Sequence, residues 1–297
     1  MHARSIDPGI LAAVRELEVR ARPAVREGLG GRWTSAVRGP GVEFAEVREY
    51  VAGDDARILD WNVSARTGRL HVKRFAEERE QTIYWLVDGS RSCQVETAGR
   101  SWREAAAETL ALVGLAAAQA GDRIGAAFFT EGIDRVIAPR HGTTALLALL
   151  ARWHEHVPAR KGTSLETALR EFLRLRTRPS LALLLTDLHD RVSDAVWRAA
   201  ARRHDLVVLA LRPAWFCELP QRGALRLEDP ETGRRFLVDL GDSRVRAELA
   251  RRLTAERRDV ARQIERAGGE CVELFTSKPL LPPLLSWARR RALVSAS

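Results

Sequence analysis

The sequence predicts an α/β protein in which a mostly parallel β-sheet carries helices on both faces, preceded by a small amino-terminal helix and β appendage. Three observations predict it. The stretch Leu181-Ala182-Leu183-Leu184-Leu185-Thr186-Asp187 is a continuous apolar run ending in an acid, as expected of a central parallel strand buried on both faces. Ile83 to Val87 is a second such run, and it ends at Asp88. Around the two runs, strand-length apolar segments alternate with helix-length segments of 3.6-residue periodicity, the order that selects a parallel sheet with helical crossovers.

The elements follow in order. Asp7-Pro8 is a helix-start signal, and Ile10, Leu11, Val14 and Leu17 share one face of the short helix that follows. Val42 to Val47 alternates apolar and polar residues as a half-buried strand does, and Leu70 to Phe75 does so less regularly. After the Asp88 turn, Ser101-Trp102-Arg103-Glu104 forms a capping box for a helix running to Ala120 and stopping at Gly121. Strands are expected at Ile124–Phe129 and Ile133–Ala138, then a helix capped by Thr143 or Thr144 with Leu146, Leu147, Leu150 and Trp153 inward. Gly162-Thr163-Ser164 opens the helix Leu165–Leu175, which leads to the Leu181 strand. A helix from Ser193, a strand at Leu206–Leu211, a long helix from about Asp242 to Ala267, a strand at Cys271–Leu274 and a last helix complete the alternation. Pro213–Asp239, rich in turn residues, reads as a surface insertion. The expected division is therefore an amino-terminal helix and β region over 1–80 and the main α/β domain over 81–297, with the insertion at about 213–239.

Composition narrows the function classes. The 297 residues carry a formal charge of +9, and of 48 Lys+Arg only Lys73, Lys161 and Lys278 are lysines. The arginines are spread along helical segments and not gathered into an arm interleaved with aromatics, so nucleic acid is disfavoured as a partner. Three distant cysteines, Cys93, Cys217 and Cys271, form no C-x-x-C pair, which argues against a disulfide framework or zinc site and for a reducing, cytoplasmic compartment. Met1 to Ile10 lacks the basic and apolar regions of a signal peptide. The most apolar helical stretch, Ala105–Ala120, includes Glu108 and Gln119 and falls short of the roughly 20 residues that span a bilayer.

The chemistry concentrates at the carboxyl ends of strands. Asp88-Gly89-Ser90-Arg91-Ser92 combines one acid with two hydroxyls where open α/β sheets place ligand sites. A carboxylate with neutral oxygens is a hard-ligand set that suits Mg2+, with Mn2+ as a chemical substitute. Asp-Gly-Ser is also ordinary turn chemistry after a strand, and one match does not separate the two readings. Thr163, at a helix start, and Asp187, after the second apolar run, add only oxygen ligands. Asp88, Ser90, Ser92, Thr163 and Asp187 with waters would leave a coordination position open, which an acidic residue from another protein could fill.

The pattern D-x-S-x-S, then a distant Thr, then a distant Asp resembles the metal-ion-dependent adhesion site (MIDAS) of von Willebrand factor A domains. That resemblance covers roughly Gln81 to the carboxyl end and implies a von Willebrand A-like, Rossmann-like fold. Thr143 and Thr144 compete for the threonine role, and Thr163 is preferred because it precedes the helix leading to Asp187. Upstream, Gly41-Val42-Glu43-Phe44, Val47-Arg48-Glu49-Tyr50, Gly53-Asp54-Asp55, Arg57, Asp60-Trp61, Ser64-Ala65-Arg66-Thr67 and Lys73-Arg74-Phe75 with Glu78-Arg79-Glu80 resemble the signature of bacterial domain-of-unknown-function family 58. Gly121 to Gly125 and Asp229-Pro230-Glu231-Thr232-Gly233 do so too. Cys93 departs from the methionine usual after the second serine, a position that is not a ligand. Membrane helices of longer members are not seen. The resemblance implies a bacterial partner of a MoxR-type AAA+ ATPase or of its client.

The stretch Arg48 to Arg66 has two readings. It is either an ion-paired loop, with Asp54, Asp55 and Asp60 matched by Arg48, Arg57 and Arg66 over Tyr50 and Trp61, or a docking surface or second acidic site. Enzyme readings are weaker. Ser90 lacks the G-x-S-x-G elbow, His189 lies near Asp187 in sequence with nothing to show that it reaches the Ser90 hydroxyl, and His154 and His156 diverge on a predicted helix. A metal-dependent phosphoesterase or nuclease using Asp88 and Asp187 with Asp54 or Asp60 around two ions lacks an evident general base, and a basic nucleic-acid-associated protein is the third class. The expectation is a non-catalytic, Mg2+-dependent protein-interaction module in the cytoplasm.

Overall fold

The computed structural model describes residues 8–25, 29, 33, 46–51, 59, 61–74, 81–91, 93, 100–160, 162–175, 177–213, 224–228, 235–239 and 241–294. The fold is a mixed α/β architecture built on a six-stranded sheet. Its elements are α1 (Pro8–Ala24), β1 (Glu46–Glu49), α2 (Trp61–Thr67), β2 (His71–Arg74), β3 (Thr82–Asp88), α3 (Trp102–Gln119), β4 (Arg123–Phe129), β5 (Ile133–His141) and α4 (Gly142–His154). There follow α5 (Leu165–Arg174), β6 (Leu181–Thr186), α6 (Asp194–Arg203), β7 (Asp205–Arg212), β8 (Ala224–Glu228), β9 (Arg235–Asp239), α7 (Ser243–Arg266), β10 (Glu270–Phe275) and α8 (Leu281–Val294).

The strand order is β10-β7-β6-β3-β4-β5. Every pairing is parallel except that of β4 with the edge strand β5. From β3 the chain crosses to β4 on one side, and from β6 it crosses to β7 on the other. The loops after these two neighbouring strands therefore leave in opposite directions, and a crevice opens between their carboxyl ends. All six residues of β6 are buried, which explains its uninterrupted apolar sequence.

Side-chain alternation along β3 divides the core. Ile83, Trp85 and Val87 face one cluster with α1, α3, α4 and α8. Tyr84 and Leu86 face a second cluster with α5, α6 and Ile264 of α7. Helices thus cover both faces, as the sequence predicts, and the buried apolar side chains on each side contribute roughly 1.5–3 kcal/mol apiece. Tryptophans do much of the filling; Trp33, Trp85, Trp102, Trp153, Trp197 and Trp287 are fully buried. Trp102 donates from Nε1 to the Leu211 carbonyl at 2.7 Å, pinning α3 to β7.

Local signals hold at most boundaries. Ser101 and Glu104 close both arms of the capping box on α3, and Ser164 caps α5 by accepting from the Thr167 N–H. Neither Thr143 nor Thr144 caps α4. His141 occupies that position with no side-chain hydrogen bond, because β5 runs directly into the helix and Gly142, at φ +80°, makes the bend. The threonines fall inside the first turn. The Pro213–Asp239 stretch contains the antiparallel ribbon β8–β9. In the amino-terminal region β1 pairs antiparallel with β2, while Ala21, Val25, Leu29 and Trp33 enter the first core cluster. Asp7 lies outside the described residues. None of the helices described is long and apolar enough to cross a membrane.

Candidate functional site

Asp88 is the last residue of β3 and is 1% exposed. Its Oδ1 accepts the Ser90 N–H at 3.0 Å, closing the turn the Asp-Gly-Ser sequence favours. Its Oδ2 accepts the Thr186 hydroxyl at 2.9 Å, so the ends of β3 and β6 are joined side chain to side chain. Ser90 is fully buried, and its hydroxyl lies 3.7 Å from the Cys93 sulfur. Gly89 donates its N–H to the Phe129 carbonyl at the end of β4.

On the β6 side, Thr186 Oγ1 also accepts the Leu188 N–H at 3.2 Å. Leu188 has φ +57°, a left-handed conformation that costs a leucine about 1 kcal/mol. Such strain persists where surrounding bonds over-determine the turn. Asp187, 4% exposed, accepts the His189 N–H at 3.3 Å, and His189 Nε2 lies 3.8 Å from its Oδ2. Arg212, at the end of β7 and also 4% exposed, donates to the Asp187 carbonyl at 3.0 Å. Asp190 accepts the Leu165 N–H at 2.8 Å and ties this loop to the first turn of α5.

Thr163 is half-buried, one residue before the α5 cap. Its neighbour Ser164 donates to the Thr130 carbonyl just beyond β4, so the Thr163 turn sits beside the loop that also receives Gly89. The structure thus brings Asp88, Ser90 and Asp187 to one crevice and places Thr163 at the adjoining helix start. Ser92 lies outside the described residues.

The electrostatics follow from burial. Burial first, and the Asp187 charge second, push the Asp88 carboxyl from 3.8 up to about 7, against the pull of its hydrogen bonds with Ser90 and Thr186. Asp190 is raised as well, chiefly by burial. Burial lowers Arg212. Two adjacent buried carboxyls can be relieved by a shared proton or by a cation. Among the described residues no group of three or more His, Cys, Asp and Glu side chains could hold a metal. The protein oxygens available to a cation are two carboxylates supplemented by hydroxyls.

Several participants escaped the sequence reading. Thr186 looked like the end of an apolar run, and Arg212 like one more arginine. The sequence predicts a helix on which His156 diverges from His154, but α4 ends at His154 and Glu155 is its cap. His156 instead folds inward, 6% exposed, with its ring against the Gly89 turn. Nothing in spacing alone marks it.

Of the proposed ion-paired stretch, Arg48 lies in β1, and Tyr50, half-buried, donates its N–H to the Leu70 carbonyl. Trp61 opens α2 and is 68% exposed, so it is not packed beneath the loop as expected; α2 buries Ser64 instead, whose hydroxyl accepts the His71 N–H. Arg66 is exposed. Asp54, Asp55, Arg57 and Asp60 lie outside the described residues.

An uncharacterized protein of Mycobacterium tuberculosis, Rv1480, is 30% identical over 308 residues, covering 97% of this chain and 92% of its own length. A shorter uncharacterized protein of Mycobacterium avium is 27% identical over 158 residues, covering 51% of this chain and 89% of its own. Among solved structures, BatB from Bacteroides thetaiotaomicron aligns with TM-score 0.43 and 14% identity over 72% of this chain and 99% of its own. An aerotolerance-related membrane protein from Bacteroides fragilis aligns with TM-score 0.45 and 11% identity over the same shares. The model of the family described as "Protein of unknown function DUF58" matches residues 46–259, and this chain belongs to that family.

Proposed function

We propose that this chain is a non-catalytic, metal-dependent protein-interaction module with a von Willebrand A-like fold over 81–297, to which residues 1–80 add an amino-terminal helix and β region. Asp88, Ser90, Ser92, Thr163 and Asp187 hold Mg2+, and an acidic residue of a protein partner completes the coordination. The partner is a MoxR-type AAA+ ATPase or its client, and the chain acts in the cytoplasm.

One observation carries the reading. Asp88 and Asp187 are both buried at the crevice between β3 and β6, close enough for one to raise the other. A carboxyl so placed is costly to ionise unless a cation stands beside it. The oxygen-only donors fit Mg2+, which accepts few protein ligands and keeps waters. When bound, the cation supplies a Lewis-acidic point for an incoming carboxylate. The chain's own groups do the rest. Ser90 N–H and the Thr186 hydroxyl orient the Asp88 oxygens, and Asp190 and Arg212 fix the Asp187 loop from either side. The stretch with Arg48, Tyr50, Asp54, Asp55, Arg57, Asp60, Trp61 and Arg66 is either a structural ion-pair loop or a docking surface, and the exposure of Trp61 favours docking.

The test is partner capture by the purified chain with Mg2+ and with EDTA. A protein retained only with Mg2+, and lost in Asp88→Ala and Asp187→Ala, is the expected result. Identical retention under all conditions overturns the reading.

A further inference from the structure

His156 and Asp134 make a buried polar contact that the site described above does not use. The His156 side chain is 4% exposed and that of Asp134 5%. Nε2 of the one and Oδ2 of the other are 3.8 Å apart, and neither has a hydrogen-bond partner among the described residues. Two buried polar atoms without partners cost about 1–3 kcal/mol each, so a fold that keeps them in place holds them for some other reason.

The surroundings supply it. A Cβ on Gly89 would lie 2.3 Å from His156 Nε2 and 2.6 Å from its Cδ2, so the ring occupies the space directly beneath the turn between Asp88 and Ser90. The ring is stacked on Trp153, with centroids 6.1 Å apart and planes inclined by 14°, and meets the edge of Phe128 at 5.2 Å. Arg103 of α3 clamps its backbone by donating to the carbonyls of Trp153, His154 and His156. Burial lowers the imidazole to about 4, so it stays neutral near pH 7 and retains one N–H to donate. Asp134, for its part, accepts the Thr130 hydroxyl at 3.0 Å through its other oxygen. The Thr130 carbonyl receives the Ser164 N–H. One pair therefore touches both turns: His156 beneath Gly89, and Asp134, through Thr130, beside Thr163.

Resting on the Mg2+ reading above, we propose that His156 is a positioning residue for the cation site, and that His156 with Asp134 brackets the Asp88–Ser90 turn against the Thr163 turn. The ring sets the height of the Gly89 peptide and hence the direction of the Asp88 and Ser90 oxygens. With a cation held between the two turns, His156 Nε2 and Asp134 Oδ2, 3.8 Å apart here, would be placed to close to a hydrogen bond. Residues that orient the ligands of a metal are typically worth 10–100-fold in affinity.

The test is Mg2+ binding to the full chain by calorimetry, with thermal melts in EDTA as the folding control. His156→Ala is expected to weaken Mg2+ at least tenfold, and His156→Gln, which keeps a donor, to recover most of that. Gly89→Ala is expected to weaken Mg2+ and lower the melting temperature; in the Gly89→Ala/His156→Ala double variant the Gly89→Ala penalty should disappear, because the obstructing ring is gone. The His156 ring signals in an NMR spectrum should shift on adding Mg2+ to wild type and stay fixed in Asp88→Ala. If wild type binds Mg2+ and His156→Ala binds it equally, with unmoved His156 signals, this inference fails while the Mg2+ reading stands. If wild type binds no Mg2+, both fail. Should His156→Ala not fold, Gly89→Ala and the NMR titration decide: unchanged affinity with fixed signals overturns the proposal, and weakened affinity with shifting signals supports it.

Discussion

Replacing Asp88 by asparagine should stabilise the metal-free protein at alkaline pH while abolishing its response to Mg2+. In the fold this carboxyl is raised from 3.8 to about 7, by burial first and then by the Asp187 charge. For an acid raised on folding, the folded state is unpenalised below the unfolded value and loses stability as pH climbs through the folded value. Between about pH 4 and 7 the wild type therefore gives up stability at this residue, on the order of a few kcal/mol. Asparagine cannot ionise, so it escapes that loss. It retains one carbonyl oxygen for the Ser90 N–H or the Thr186 hydroxyl, and losing the other bond costs about 1 kcal/mol. The net expectation in EDTA at pH 8 is a gain, on the order of a few kcal/mol, or about 5 °C in melting temperature for a chain this long. With Mg2+ at 100 times its dissociation constant, wild type gains about 2.7 kcal/mol and the variant nothing. The assay is thermal denaturation by circular dichroism at pH 5 and pH 8, with EDTA or Mg2+. Taking the difference between variant and wild type removes other titrating groups, such as Asp190, which shifts the same way, and His156 and His204, which burial lowers. A difference that does not grow from pH 5 to pH 8, or a variant less stable than wild type at pH 8 in EDTA, refutes the reasoning.

Two further predictions concern the scaffold that aims the site. Ser101→Ala removes the capping box at the start of α3 and should cost about 1 kcal/mol, read as a lower urea midpoint with unchanged slope. Gly114→Ala places a methyl 2.4 Å from Leu146 Cδ1 where α3 and α4 pack. It should cost about 1–3 kcal/mol by overpacking, and an unchanged urea midpoint would show that the two helices are not in close contact.

Much of the site was legible because each of its parts announces itself locally. Leu181 to Leu185 reads as a strand buried on both faces, because the run is continuously apolar, of strand length and bounded by turn residues. Acids placed directly after two such strands fall at the carboxyl edge by topology alone. Ser101 with Glu104, and Ser164, mark helix starts through hydrogen bonds within four residues, so sequence suffices to find them. Thr143 and Thr144 show the limit of the same local logic: a hydroxyl near a helix start looks like a cap, but Gly142 already makes the bend. Trp61 likewise looked like a residue to bury, yet the short helix α2 turns it outward.

What the sequence determined by itself is the α/β alternation, the membership of β3 and β6 in one sheet, and the acids at their ends, because periodicity, capping and turn chemistry act over a few residues. Only the tertiary structure decided that β3 and β6 are neighbours, so that Thr186 reaches Asp88 across 98 positions of sequence, and that Asp190, Arg212 and His156 belong to the same neighbourhood. These contacts come from strand order and from chain direction beyond a helix end. Such properties depend on the packing of whole elements, and no spacing between residues along the chain encodes them.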